Sequence, residues 1–217
     1  MGVHAWRAPP LFLYNECMTH SFVQQALRSY FAQYPNDTQR LQITQALLAN
    51  PDIISRSSMA GHVTASILVL NPEKTHVLTI FHRHLNKRLN PGGHIDEEGN
   101  PFDAAFREGQ EEVGLPAASV VPISTWDTQS CALDIDAHVI GANAKKNEGE
   151  HFHHDIVYAT VLKTGVELDT VEDDGVDKRE WTPLNEWGQL SERNRRMLSI
   201  LEDPRYGVFN AMQASSP

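Results

Sequence analysis

Hydrophobic and polar residues follow a helical spacing near the start of the chain. Apolar side chains recur every three or four positions in residues 21–34, which predicts a helix that begins at a serine able to cap it. A Pro-Asn-Asp sequence interrupts the pattern, and Asp37 is placed to cap a second helix that ends before Pro51. We therefore predict a helical N-terminal extension over residues 1–57 and a main domain over residues 58–217.

The spacing changes to that of β-strands from residue 62 onward. Residues 62–70 are rich in Val, Ile and Thr, and residues 76–82 form a similar run after an Asn-Pro turn. Further runs predict strands at about 118–126, 130–140, 153–162 and 176–181, and helices at about 101–113 and 193–201. Strands that surround a few helices predict a mixed α/β or α+β sandwich.

Composition and charge exclude several classes of protein. Apolar residues make up 41% and charged residues 21% of the chain, which is typical of a globular domain. The net charge of −10 disfavours binding to long nucleic acid, whose phosphates would repel the chain. Two distant cysteines do not suggest a disulfide scaffold, and no apolar run is long enough for a membrane span. We expect a cytoplasmic protein that binds neither long nucleic acid nor a membrane.

The helix at 101–113 has strong local signals at both ends. Asn100 is a good capping residue, and Pro101 suits the first helical position. Gly114 is typical of the left-handed turn that ends a helix. An apolar stripe at three- and four-residue spacing faces a core, and Gly109 on this stripe indicates close packing against a strand.

Three glutamates gather on the polar face of this helix. Glu108, Glu111 and Glu112 are spaced three and four residues apart, so their like charges repel one another. Arg107 can pair with Glu111, and a divalent cation with oxygen ligands would offset the repulsion further. The alternative is a solvated acidic helix face without a metal.

The sequence around this helix resembles the Nudix box, G-x(5)-E-x(7)-R-E-U-x-E-E-x-G-U, where U is a bulky aliphatic residue. The matching residues are Gly93, Arg107, Glu108, Glu111, Glu112, Gly114 and Leu115. Two positions depart from the pattern. Gly99 stands where the box has its first glutamate, with Glu98 beside it as a candidate extra ligand, and Gly109 replaces a bulky aliphatic residue.

The resemblance implies a fold and an activity. It predicts a Nudix-type α/β/α sandwich with a mixed sheet, and assigns residues 58–217 to a Nudix hydrolase domain. The implied activity is the Mg²⁺-dependent, or Mn²⁺-dependent, cleavage of a diphosphate (pyrophosphate) linkage in a small nucleoside diphosphate derivative or similar metabolite. A homodimer is implied in the same way. The Gly99 departure leaves open a catalytically weak, Nudix-like module that binds a nucleotide for regulation.

The resemblance also implies roles for the residues of the box. Glu108, Glu111 and Glu112 would bind the metal with the Gly93 carbonyl as a further ligand, and Arg107 would orient the glutamates. The catalytic residues would then be Glu108, Glu111 and Arg107. The general base stays open between Glu111 and two glutamates of a polar loop, Glu148 and Glu150.

Two further groups of residues are candidates for substrate binding. The first precedes the box and comprises Arg83, His84, Lys87 and Arg88, which either hold phosphate or form an ordinary basic hairpin. The second comprises Asp136, His138, His151, His153, His154 and Asp155. In this second group, His151 and His153 share a strand face. They either lie on a wet polar surface, contact the substrate (chiefly His138 and His153), or bind zinc, which would make the chain a histidine-based metal enzyme.

Residues outside these groups receive structural interpretations. The aromatic residues Phe22, Tyr30 and Phe31 are predicted to lie in a core or a dimer contact. The arginines of the last helix, Arg193, Arg195 and Arg196, are predicted to lie on a solvated helix face rather than in a phosphate site.

Overall fold

The computed structural model of the protein describes residues 11–50, 52–82, 86–96, 100–116, 118–123, 132–144, 148–169, 176–204 and 208–209. For residues 11–20 and 176–178 it describes the backbone alone. The helices are α1 (Leu11–Gln33), α2 (Gln42–Leu47), α3 (Pro101–Val113), α4 (Leu184–Trp187) and α5 (Glu192–Glu202), and a 3-10 helix spans Pro35–Thr38. The strands are β1 (His62–Leu70), β2 (His76–His82), β3 (Lys87–Leu89), β4 (Gly92–His94), β5 (Val120–Pro122), β6 (Asp134–Ile140), β7 (His151–Leu162) and β8 (Val176–Pro183). None of the helices in these ranges is long and apolar enough to cross a membrane.

The N-terminal helices differ from their predicted bounds. Helix α1 begins ten residues before the predicted start at residue 21, because no Pro or Gly interrupts the chain between Pro10 and Pro35. Asp37 does not cap the second helix. Its carboxylate instead accepts hydrogen bonds of 2.5 Å from the Tyr30 hydroxyl and of 2.5 Å from Arg40, so α2 is shorter than predicted.

One mixed sheet organises the main domain. Its main path runs β3-β2-β1-β7-β5, with β4 paired to β1, β6 to β7 and β8 to β2. The central pair, β1 and β7, is parallel, whereas the other pairs are antiparallel. Every residue of β1 is buried, as a strand covered on both faces should be.

Helices cover both faces of the sheet, which confirms the predicted α/β/α sandwich. The first face carries Val63 and Ile67 and packs against α3 and the N-terminal helices, including Leu27. The second face carries Leu68 and packs against α4 and α5, including Trp187. The aromatic residues of α1 divide: Tyr30 is fully buried, whereas the Phe22 side chain is exposed. Because the N-terminal helices share the first core, the boundary at residue 57 stays a prediction.

Most long elements lie where the sequence predicts them. Strands β1 and β2 and helix α3 have the predicted bounds, and β5, β6, β7, β8 and α5 differ from theirs by a few residues. Three short elements, β3, β4 and α4, are not predicted. Strand β4 contains two glycines, which have low strand propensity, and it forms because it pairs antiparallel with β1.

Candidate active site

Helix α3 is anchored at both ends as its sequence predicts. The Asn100 side chain accepts a hydrogen bond of 2.9 Å from the Asp103 backbone N–H, and Gly114 ends the helix with a left-handed φ of 67°. Gly109 lies against the sheet, where an added Cβ would stand 3.1 Å from the Ile67 side chain and 2.6 Å from Leu115. This close approach confirms the packing role of Gly109 and fixes the height of the glutamate face over β1.

The three glutamates of α3 occupy different environments. The Glu108 side chain is only 14% exposed, whereas that of Glu111 is 56% exposed. Arg107 stands between them, with one guanidinium nitrogen 2.9 Å from Glu108 and 2.8 Å from Glu111. Glu112 accepts a hydrogen bond of 3.0 Å from the Gly92 backbone N–H. The predicted Arg107–Glu111 pair is therefore present, and Glu112 ties the helix to β4.

The Gly93 backbone lies directly against the Glu108 carboxylate. An added Cβ at Gly93 would come within 2.3 Å of a Glu108 oxygen, so a side chain at this position would force the Glu108 carboxylate to move. Arg107 holds the same segment from the helix, because it donates a hydrogen bond of 2.9 Å to the His94 carbonyl and lies 3.4 Å from Asp96. The box glycine, its glutamate and its arginine thus form one packed unit.

The Glu108 carboxyl sits in a setting that favours a bound cation. Burial raises its pKa above the ordinary value, Arg107 opposes this effect, and the neighbouring charges of Glu111 and Asp96 raise the pKa further. A hard divalent cation would relieve both the burial cost and the repulsion, and carboxylate and carbonyl oxygens are the donors it prefers. The donor set therefore fits Mg²⁺ or Mn²⁺.

The basic residues before the box are only partly described. Lys87 is exposed on β3, and Arg88 forms an ion pair with Glu180 of β8. Arg83, His84 and Glu98 lie outside the described residues, as does the departure at Gly99. Arg88 is therefore already neutralised, and Lys87 is the described member whose charge faces solvent.

The histidines of the second candidate group meet two histidines that the sequence interpretation left out. Register places His62 of β1 beside His153 of β7, His153 beside His138 of β6, and His94 of β4 near them across β1. One ring nitrogen from each of His62, His151 and His153 lies within 4.8 Å of the others. Among the described residues, these three side chains form a group that is compact enough to share one metal ion.

The fourth and fifth rings extend this histidine cluster. His94 Nε2 lies 3.1 Å from His62 Nε2, and the His94 ring centroid is 5.0 Å from that of His153. The His138 ring lies 5.9 Å from that of His153, and its Nδ1 is 3.3 Å from Asp136. We use the name "histidine cluster" for His62, His94, His138, His151 and His153.

His154 does not belong to the histidine cluster, although the sequence interpretation grouped it there. It points to the opposite face of the sheet, is fully buried, and its Nδ1 lies 2.9 Å from the Thr44 hydroxyl. The alternation of β7 explains this separation, because successive side chains point to opposite faces. The pairing of β1 with β7 is what brings His62 into the cluster, and the only available signal for His94 was its place next to the box glycine.

The remaining acidic members of the second group take part in an ion-pair cluster with α5. Arg196 contacts Asp134 at 2.7 Å and Asp136 at 3.3 Å, and Arg193 contacts Asp155 at 2.7 Å. Asp134 has a fully buried side chain. The prediction of a solvated arginine face on the last helix is thus wrong for Arg193 and Arg196, because buried carboxylates from β6 and β7 face them. Arg195 is exposed, as predicted.

The two loop glutamates lie near the histidine cluster. Glu148 forms an isolated bridge with Asn143, and its charge raises the pKa of His62, against the stronger lowering by burial. Glu150 is exposed beside His151, whose Nδ1 lies 2.8 Å from the Gly149 carbonyl. The general-base role of either glutamate stays a prediction.

The chain is similar to proteins of one family. The family model of the NUDIX domain matches residues 60–203. A curated relative, the probable DHNTP pyrophosphohydrolase of Lactococcus lactis subsp. cremoris (strain MG1363), is 30% identical over 114 residues, which are 52% of this chain. The match spans 57% of that relative, little more than half of its length.

Solved structures also resemble the chain. They include the Ap4A hydrolase of C. elegans in a binary complex, with a TM-score of 0.48 and 13% identity over 69% of this chain and 98% of that one. The dihydroneopterin triphosphate pyrophosphohydrolase of E. coli has a TM-score of 0.48 and 17% identity over 63% of this chain and 92% of that one.

Proposed function

The chain belongs to the NUDIX family, and from this premise we propose that it hydrolyses a diphosphate linkage in a small nucleoside diphosphate derivative or a similar metabolite. The observation that carries the proposal is the contact of the Gly93 backbone with the Glu108 carboxylate beneath Arg107. Glu112 accepts a hydrogen bond from the Gly92 backbone N–H, so two glutamates of α3 contact the same backbone segment. Similar folds host different activities, so the proposal rests on this site and not on the fold.

The residues that would hold Mg²⁺ or Mn²⁺ are Glu108, Glu111, Glu112 and the Gly93 carbonyl. When bound, the cation supplies charge neutralisation on the diphosphate and a more acidic water. Arg107 keeps Glu108 and Glu111 in place and fastens α3 to the segment after β4. Such positioning matters because displacement at phosphorus depends on orientation and electrostatic stabilisation.

In the proposed reaction, a water oxygen forms a bond to phosphorus, the bridging P–O bond breaks, and a carboxylate takes the proton of the water. Glu111 is the most exposed glutamate of the box, which favours it for this proton transfer. Glu148 and Glu150 are the competing candidates from the loop before β7. Comparison of the three Glu→Gln variants identifies the base as the one whose loss removes the acidic limb of the pH–rate profile, because a general base acts only when it is deprotonated.

In this proposal the phosphate groups and the base of the substrate contact basic and imidazole side chains of the sheet. Lys87 presents an exposed ammonium group, and His138 of β6 lies beside His153 of β7. Arg88 would contribute only after release from Glu180. Arg83 and His84 are proposed as further phosphate contacts from the sequence alone. The DHNTP pyrophosphohydrolase relative adds pterin triphosphates to the candidate substrates.

The direct test is turnover of a substrate panel by the purified chain with Mg²⁺ or Mn²⁺. The panel comprises nucleoside diphosphate derivatives, dinucleoside polyphosphates and pterin triphosphates. We expect release of phosphate, pyrophosphate or a monophosphate from at least one compound, and a rate decrease of about 10²–10⁴-fold in Glu111→Gln. Glu192→Gln, at an exposed position of α5, is the matched control and should retain the rate. Absence of turnover across the panel would count against the proposal.

The second candidate function is regulatory binding of a nucleotide without efficient turnover. The glycine at position 99, where the Nudix box has a glutamate, favours it. A nucleotide that raises the melting temperature and is recovered intact after long incubation with Mg²⁺ would support this alternative. Restoration of turnover by Gly99→Glu would assign the weak activity to that position.

The small-molecule substrate, a homodimeric state and a cytoplasmic location belong to the same proposal. Light scattering on the purified chain measures the mass of the assembly directly. A mass of one chain, 24.3 kDa, would remove the dimer from the proposal without affecting the activity.

A further inference from the structure

We propose that His62, His94, His151 and His153 form a Zn²⁺ site that is separate from the glutamate site of α3. The four residues come from three strands, β1, β4 and β7, that meet at one end of the sheet. The four side chains lie close together although His62 and His153 are 91 positions apart in the sequence. The proposal concerns a different metal and different ligands from those of the proposed hydrolase site, and it does not depend on that function.

The spacing of the ring nitrogens suits a transition-metal ion. Zinc binds imidazole nitrogen at about 2.0–2.1 Å in a tetrahedron, which separates two ligand nitrogens by about 3.3–3.4 Å. The Nε2 atoms of His62 and His94 lie 3.1 Å apart. The nitrogens of His62, His151 and His153 lie within 4.8 Å of one another, so small rotations of the side chains would close the site. The neighbouring rings are stacked or tilted at centroid distances of 4.8–5.1 Å.

The Gly149 carbonyl fixes one imidazole in the form that binds metals. A carbonyl oxygen only accepts hydrogen bonds, so His151 Nδ1, at 2.8 Å, must carry the proton that it donates. In the neutral ring, Nε2 of His151 is then left with its lone pair. Metal-binding histidines typically show this pairing, in which a carbonyl orients the ring from outside the coordination sphere.

The electrostatics of the cluster favour the neutral form of His62 and His153. Burial, together with the neighbouring His62, His94, His138 and His151, lowers the pKa of His153 to about 3. Burial also lowers the pKa of His62. Neutral imidazole is the ligand form, so a metal would not have to displace protons from these two rings near neutral pH.

The chemistry of the two donor sets separates the two metals. Imidazole nitrogen suits borderline ions such as Zn²⁺, whereas carboxylate and carbonyl oxygens suit Mg²⁺. His94 nevertheless follows Gly93 directly, and its carbonyl accepts the Arg107 hydrogen bond of 2.9 Å. A zinc ion on His94 would therefore hold β4, and with it the Gly93 segment, against the starts of β1 and β7.

The test is zinc binding by the full, untagged chain. After removal of metals with a chelator, Zn²⁺ is titrated against a chromophoric competitor in excess Mg²⁺, and bound zinc is counted by elemental analysis. We expect one zinc per chain, a raised melting temperature with Zn²⁺ but a smaller rise with Mg²⁺, and a tetrahedral absorption spectrum on substitution with Co²⁺.

Matched variants locate the site. His62→Gln and His153→Gln should each lower zinc affinity by at least about tenfold, because even residues that only support a metal ligand cause a loss of this size when they are changed. His94→Gln should also weaken zinc binding. His76→Gln changes a strand histidine outside the cluster and should bind zinc as the unmodified chain does. Glu108→Gln should retain zinc, which separates this site from the hydrolase site.

The proposal is overturned if the unmodified chain fails to retain zinc against the competitor. It is also overturned if zinc is bound but its affinity is unchanged in both His62→Gln and His153→Gln, or is lost in Glu108→Gln. The measurements on the unmodified chain decide the question even if one variant fails to fold. Absence of hydrolytic turnover with intact zinc binding would reject the proposed function and leave this inference standing.

Discussion

Two polar clusters lie next to each other on the second face of the sheet, and they stabilise their buried polar side chains in different ways. The ion-pair cluster places the carboxylates of Asp134, Asp136 and Asp155 against the guanidinium groups of Arg193 and Arg196. The histidine cluster begins two residues away from these carboxylates, at His138 on β6 and His153 on β7, and places imidazoles against one another. Asp136 touches both, because it also contacts His138 at 3.3 Å.

The difference lies in which protonation state each cluster favours. Burial alone would raise the pKa of Asp155, but Arg193 and the Ser66 hydroxyl hold it below the ordinary value, so the charged form persists. The charge of Asp155 in turn raises the pKa of Arg193, against burial. Burial and neighbouring rings instead lower the pKa of His153, so the neutral form persists. A paired charge serves to fasten elements together, whereas neutral imidazoles offer lone pairs to a ligand.

The largest expected effect is the loss of the buried carboxylate at the centre of the ion-pair cluster. Asp134→Ala leaves Arg196, which contacts Asp134 at 2.7 Å, without its main partner. Breaking a buried pair by removal of one partner costs about 3–5 kcal/mol, so the free energy of unfolding should fall by that order. Chemical denaturation measures it.

A matched control for this variant lies on α5 itself. Glu202→Ala removes an exposed carboxylate and should change the free energy of unfolding by no more than about 0.5 kcal/mol. If Asp134→Ala lowered the free energy of unfolding as little as Glu202→Ala, the ion-pair cluster would not stabilise the fold as its burial indicates.

A smaller effect is expected from acid. Burial would raise the pKa of Asp136, but the hydrogen bond from His138 and two neighbouring arginines hold it well below its usual range. The pKa of Asp37 is also lowered, by Arg40 and Tyr30 against burial. Such carboxylates stabilise the fold above about pH 4, the unfolded value, and this stability is lost as the pH falls through the folded values. Unfolding free energy should therefore drop by on the order of 1–2 kcal/mol between about pH 5 and pH 3.

Denaturation curves at several pH values check this expectation. In Arg196→Met, one cation that lowers the pKa of Asp136 is gone, so the decline with acid should be shallower than in the unmodified chain. An equally steep decline would mean that other carboxylates govern the acid sensitivity.

The parts of the fold that the sequence predicts are those with local causes. Helix α3 is set by Asn100, Pro101 and Gly114, and β1 by a run of β-branched residues buried on both faces. The elements that the sequence misses depend on distant partners. Strand β4 exists because it pairs with β1. Helix α1 is a different case: it begins ten residues before its predicted start, and its weak apolar periodicity does not mark that start in the sequence.

The residues of the candidate site also separate into those with local causes and those that depend on distant partners. The Glu108–Glu112 spacing lies within one helix, so the sequence alone predicts the shared face, and the Arg107–Glu111 pair follows from it. The partners of Arg193 and Arg196 are 38 to 62 residues away, and no local pattern identifies them. His62 joins His153 only through the parallel register of β1 and β7, which is a property of the folded sheet.

The smallest expected effect on stability comes from the histidine cluster, and it tests the comparison most directly. His153→Gln removes an imidazole that is neutral near pH 7 and leaves no buried charge unpaired, so in chelator the free energy of unfolding should change by less than about 1 kcal/mol. In Zn²⁺ the unmodified chain should gain stability that the variant lacks. Denaturation in the two conditions measures both quantities. If His153→Gln in chelator lost as much free energy of unfolding as Asp134→Ala, the imidazoles would belong to the contacts that hold the sheet and helices together. Conserved stability with lost zinc stabilisation would instead separate a cluster that holds the sheet together from one that is arranged to bind a ligand.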